Sequence, residues 1–278
     1  MDRLRFCAWL VAGPALMANP LLGRAQSSPA PTSMSSASAV DMAGRLRMLS
    51  QRMVKAYLML GQDIATDDAR TLLQRSITQF EDHHGLLKAF PSTVAVRSAL
   101  ARLELAWKPC KALLAAAPSK AGGAELYDVS ETLQQSAHSL TLACEQITGA
   151  PLDHLVSIAG RQRMLSQRMA KFYFYRTWGL YGAAADMELH LSRAHFTAVL
   201  IQIDGSQHAT APVKAGVAGV RREWEPYQLA LFASNEPVRM RRDAAPVAEL
   251  SERVLVATED LVARLVTQAQ GALTTARV

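Results

Sequence analysis

Cysteine is scarce, three in 278 residues, so no small disulfide framework holds this chain together. Glycine and proline number 15 and 12 and aromatics make up 6%, which excludes collagen-like and low-complexity chains. Basic residues exceed acidic ones by only six and form no run, so the chain is not a general nucleic-acid binder. Beyond the first 25 residues no apolar stretch approaches the roughly 18 residues of a membrane span. Cys-x-x-Cys-His, a Gly-rich phosphate loop and a nucleophile elbow are all missing. His83 and His84 are adjacent, and His190 and His195 are five apart, which misses the three- or four-residue spacing of a helical ligand pair. Carboxylate pairs such as Asp67-Asp68 and Glu81-Asp82 fall at helix starts or on polar faces. Met48, Met53, Met59, Met164 and Met169 read as packing residues rather than copper ligands. Neither an enzyme nor a cofactor or metal centre is expected.

What the sequence does have is apolar content, 50% of its residues, enough for a sizeable core. Arg3 and Arg5 followed by the mostly apolar Phe6–Leu22, with small residues at Gly23 and Ala25, read as an export signal over residues 1–25. The mature chain is then expected in the periplasm, soluble and without stable membrane insertion. Residues 26–38, mostly Ser, Ala and Pro, read as a flexible leader. Beyond them, apolar residues recur at three- and four-residue spacing and no strand-like alternation is sustained. Breaks fall near Gly61–Asp67, at Phe90-Pro91-Ser92, around Pro118–Gly123 and at Gly149-Ala150-Pro151. Others lie near Gly182, at Asp204-Gly205-Ser206 and at Asn235-Glu236-Pro237, predicting eight helices, four on each side of Gly149.

The chain repeats itself. Ala43–Tyr57 reads AGRLRMLSQRMVKAY and Ala159–Tyr173 reads AGRQRMLSQRMAKFY, identical at 12 of 15 positions at an offset of 116. The same offset pairs Ser76 with Ser192 and Phe80 with Phe196, and an offset of 117 pairs Trp107 and Pro109 with Trp224 and Pro226. The expected fold is all-α: two tandem up-down antiparallel four-helix bundles, residues 39–149 and 150–278, related by a pseudo-twofold.

On a helical wheel, Leu46, Leu49, Met53, Ala56, Tyr57 and Leu60 share the face turned to their own bundle. The opposite face mixes Arg47, Gln51, Arg52 and Lys55 with Met48, Leu58 and Met59, too apolar for solvent alone. A second buried contact follows. In the second unit Arg163, Gln167, Arg168 and Lys171 repeat that face. Four antiparallel helices return the chain to its starting end, so the two elements can run parallel and pack on each other. Packing would gather Arg47, Arg52, Arg163 and Arg168 with no acidic residue inside either element. Two guanidiniums about 6 Å apart at an effective dielectric near 20 repel by roughly 3 kcal/mol. A small planar oxyanion taking forked hydrogen bonds would relieve that.

The two elements, AGRLRMLSQRM and AGRQRMLSQRM, resemble the first-helix signature of the periplasmic sensor domains of NarX-type nitrate/nitrite sensor kinases and PilJ-type pilus chemotaxis transducers. The resemblance implies a sensory, ligand-binding module. In NarX-like sensors nitrate sits between the first helices of two chains, gripped by arginines of the signature. Carried over by position, those arginines are Arg47, Arg52, Arg163 and Arg168, with Gln51, Gln167, Lys55 and Lys171 beside them. The expected ligand is therefore nitrate or nitrite, held between two copies within one chain. A membrane sensor, transporter or pilus component is the expected macromolecular partner, and a purely protein-contacting module is the alternative. Of the two mature cysteines, simple hairpin geometry puts Cys110 and Cys144 about 20 Å out of register, too far for a bridge unless a long loop or a kink at Pro109 changes the register.

Overall fold

The computed structural model describes residues 34–90 and 93–275, and the expected export signal and most of the expected leader lie outside them. Helix α1 (Ser36–Leu60) begins where the Ser35 hydroxyl accepts from the Ser38 N–H at 3.1 Å, a serine N-cap. It therefore starts inside the stretch expected as leader, because Ala37 and Ala39 are buried and the cap satisfies its first turn.

Helices α2 (Thr66–Ala89), α3 (Val94–Ala115) and α4 (Lys120–Glu145) complete the first group. Gly149, at φ 61°, turns the chain, and Pro151 opens α5 at the first helical turn. The second group comprises α5 (Pro151–Thr177), α6 (Gly182–Asp204), α7 (Ala211–Leu231), α8 (Pro237–Arg242) and α9 (Ala244–Thr275). Nine helices thus replace the expected eight among the described residues. The addition is α8, a single short helix that starts at Pro237 and is capped by the Glu236 carboxylate, which accepts from the N–H groups of Val238 and Arg239. No strand occurs among the described residues.

The repeat is visible in the packing. Phe80 of α2 stacks on Trp107 of α3 at 4.3 Å and 30°, and Phe196 of α6 stacks on Trp224 of α7 at 4.3 Å and 29°. Helix α1 packs on α2 and α4, and α5 on α6 and α9. The two also pack on each other, and from Met34 onward the chain is one compact unit. Contacts advance together along both: Arg47 reaches Ser157, Gln51 reaches Arg168 and Gln62 reaches Phe174. Helices α1 and α5 therefore run parallel, in the register that the repeat implies. Both are buried nearly all round, charged face included, as their two-faced pattern requires.

Candidate functional site

The α1–α5 seam closes over two glycines. Gly44 and Gly160 are repeat equivalents, and each bares the helix backbone on the face turned to the other helix. In an α-helix a side chain leans back over the preceding turn, which carries Arg47 over Gly44 and Arg163 over Gly160. A Cβ on Gly44 would lie 3.4 Å from Nη2 of Arg47 and 3.5 Å from Nη2 of Arg163. One on Gly160 would lie 3.3 Å from Nη2 of Arg163 and 3.6 Å from that of Arg47. The two guanidinium tips thus meet at the seam, with Arg47 1% and Arg163 0% exposed.

Each arginine crosses to the opposite helix in the same way. Arg47 Nη2 donates to the Ser157 carbonyl at 3.0 Å, and Arg163 Nη2 donates to the Asp41 carbonyl at 3.3 Å. Asp41 and Ser157 are repeat equivalents, and here the symmetry breaks. The Asp41 carboxylate also takes Arg163 at 2.5 Å and Arg45 at 3.3 Å, while Arg45 reaches Glu259 of α9 at 2.7 Å. On the other side of the seam the residues in those places are Ser157, Arg161 and His138. Arg47 Nη1 meets Nδ1 of His138 at 3.2 Å, and no carboxylate among the described residues pairs with it.

The electrostatics follow from that exchange. Burial alone would raise the Asp41 carboxyl, but Arg163 and Arg45 outweigh it and hold it below its ordinary value. Burial pulls Arg47 down from 12.5 to about 9, Arg163 and Arg161 add repulsion, and only Glu145 opposes them. Nε of Arg47, and Nε and Nη1 of Arg163, are buried without an acceptor among the described residues. Such orphaned donors are costly.

The other expected site residues are placed differently. Arg52 and Lys55 end on Glu252 of α9, the lysine at 2.5 Å, and Lys55 also donates to Ser251 at 2.9 Å. Arg168 binds Glu131 of α4 at 2.7 Å and Glu188 of α6 at 2.9 Å, and Lys171 binds Glu131 at 2.6 Å. Burial would raise both glutamates, yet the paired cations hold each at about 2. Burial pushes Lys171 down to about 8 against the pull of Glu131. Gln51 is buried beside Ser50 and accepts from Arg168 at 3.5 Å, and Gln167 donates to the Ser251 carbonyl at 3.0 Å. Of the four arginines, then, the structure brings Arg47 and Arg163 together and ties Arg52 and Arg168 to carboxylates of α9, α4 and α6.

Sequence reasoning missed those carboxylates, and His138 with them. A signal existed: Ser130-Glu131 and Ser251-Glu252 are a repeated dipeptide, but at an offset of 121 rather than 116, because α8 intervenes. Cys110 and Cys144 are both free and buried, and burial pushes each thiol up to about 12.

No described helix is long and apolar enough to cross a membrane. No curated protein and no solved structure was found to match the chain. Two segments, residues 31–132 and 153–251, match PilJ, described as the N-terminal part of type IV pili methyl-accepting chemotaxis transducers. They correspond to the two repeats and lie on the pilus-transducer side of the resemblance. With the two segments together covering most of its length, the chain belongs to the PilJ family of chemotaxis-transducer N-terminal domains, a sensory family.

Proposed function

We propose that this protein is a periplasmic sensory module that takes one small oxyanion, nitrate or nitrite, at the Arg47–Arg163 junction between α1 and α5. The observation that carries this reading is the buried guanidinium of Arg47. It faces Arg163 and Arg161 with a histidine and a carbonyl for company and, among the described residues, no carboxylate in contact. A planar oxyanion there would accept from the orphaned N–H groups of both arginines and cancel the surplus charge. Arg52, Lys55, Arg168 and Lys171 serve as struts that fix the two helices, with Gln51 and Gln167 between them. Export rests on the Arg3–Ala25 signal, in keeping with a sensory domain outside the membrane.

Calorimetry of the mature protein against nitrate, nitrite and chloride tests the proposal. Saturable heat is expected with nitrate or nitrite at one anion per chain, lost in a folded Arg47→Ala variant. Absence of heat with all three anions overturns it. A second reading has its own support in α6, where Met187, Leu191 and Ile201 are 63%, 47% and 61% exposed. On that reading the protein contacts a membrane sensor, transporter or pilus component without a small ligand, and a stable protein complex replaces the anion heat.

A further inference from the structure

The two halves also differ beside their buried lysines. Beside Lys171, Tyr127 of α4 packs edge-on against Phe172 and Tyr175 of α5 at 5.8 and 5.3 Å, and lies tilted on Tyr181 at 4.3 Å. The phenol of Tyr175 donates to the Gly123 carbonyl at 2.9 Å and that of Tyr181 to the Ala124 carbonyl at 3.1 Å. These rings sit beside the Lys171–Glu131 pair, and the Lys171 ammonium lies 4.3 Å from the Phe172 ring centroid.

Beside Lys55 the same kind of ion pair, Lys55–Glu252, forms without the rings. At an offset of 116, Phe172, Tyr175 and Tyr181 become Ala56, Met59 and Ala65, and at an offset of 121 Tyr127 becomes Ala248. Where the tyrosines stand on one side, the other has a cavity of about 520 Å³ between α1, α2 and α9, lined by Lys55, Met59, Ala65, Leu72, Ala248 and Glu252. That is within the size range of small-molecule sites. Backbone and ion pair are retained while the aromatic filling is missing. Even the strained turn persists: Ala65 holds φ 44° where Tyr181 holds φ 53°.

We propose that this cavity binds a small phenolic molecule, whose ring occupies the place that Tyr127, Tyr175 and Tyr181 fill beside Lys171. Its hydroxyl would donate to the carbonyl of Ala244 or Ala245, the counterparts of Gly123 and Ala124. Asp68, Glu249 and Glu252 line the cavity against the single ammonium of Lys55, so a cationic tail is favoured and an anionic one repelled. The site is separate from the arginine seam and does not rest on the nitrate reading.

Titration of the mature protein with p-cresol, the tyrosine side chain as a free molecule, tests this by calorimetry alongside tyramine and p-hydroxybenzoate. Saturable binding at one molecule per chain is expected, with tyramine at least about tenfold tighter than p-hydroxybenzoate. Ala65→Tyr restores the ring at a backbone conformation that a tyrosine already adopts in the second half, and should weaken p-cresol binding at least about tenfold with an unchanged helical circular dichroism spectrum. Ala248→Tyr is the second variant, should the first not fold. No saturation with p-cresol, undiminished binding in the folded variant, or equal affinity for p-hydroxybenzoate and tyramine overturns the proposal, whether or not nitrate binds.

Discussion

The two sides of the seam are built from the same repeat and differ in their balance of charge, one being neutral and the other carrying surplus cations. At one, Arg163 and Arg45 face Asp41 and Glu259, so two cations meet two carboxylates. At the other, Arg47 and Arg161 occupy the matching places, and Ser157 and His138 stand where the carboxylates would be. Buried guanidiniums need partners. The first side supplies its own, and on the proposed reading the second would leave that role to an anion. A duplicated element can therefore neutralise its buried arginine in one copy and leave it without a contacting carboxylate in the other through two substitutions.

The largest expected effect breaks the struts rather than the seam. Glu252→Ala strands Arg52 and Lys55, and removing one partner from a buried ionic group costs about 3–5 kcal/mol. Glu131→Ala should cost less, because Arg168 keeps Glu188. Chemical denaturation of both variants measures the difference. Acid reaches the same pairs. Both glutamates sit at about 2 when folded, below the ordinary 4.5, so their contribution is complete above pH 4.5 and fades as pH falls towards 2. Melting temperature against pH should drop through that window, and more shallowly in the double Glu131→Ala, Glu252→Ala variant.

The comparison itself is sharpened by making the two sides alike. Ser157→Asp places a carboxylate on Arg47 as Asp41 does on Arg163. It should raise stability by about 1–2 kcal/mol and abolish nitrate heat. Asp41→Asn should lower stability by about 2–3 kcal/mol and make the melting temperature more sensitive to added nitrate.

A smaller effect concerns pH and binding. Burial, with Arg47 and Arg161 adding to it and Glu145 opposing, holds His138 below its ordinary 6.5. An anion beside it favours the protonated ring, so nitrate binding should take up a proton and tighten as pH falls below 6.5. Calorimetry across that range, flattened in His138→Asn, checks the sign. The smallest change is expected from Gly44→Ala. Its new methyl would meet both guanidinium tips at 3.4 and 3.5 Å, while alanine gains up to about 1 kcal/mol in helix propensity. Stability should move by less than about 1 kcal/mol, and nitrate affinity should fall more visibly.

The two-faced character of α1 and α5 was legible because apolar residues recur on both sides of a 3.6-residue period, which only a helix packed on two sides uses. Their parallel pairing followed from chain parity. The start of α1 was not legible, since a lone serine N-cap in a Ser/Ala tract looks like leader until buried alanines give the helix something to pack on. The neutralisers of Arg52 and Arg168 escaped for a different reason. Electrostatic partners act through space, and Glu131, Glu188 and Glu252 lie 20 to 200 residues from the arginines they serve, behind an offset shifted by α8.

Periodicity and self-similarity thus determined an all-helical, duplicated chain with a charged face turned inward, because local spacing alone fixes which side chains share a helix face. Tertiary structure decided which of those charges are satisfied. That depends on what the other helices bring within hydrogen-bonding reach, and substitutions at Asp41/Ser157 and Glu259/His138 acquire meaning only once α1, α4, α5 and α9 are packed together.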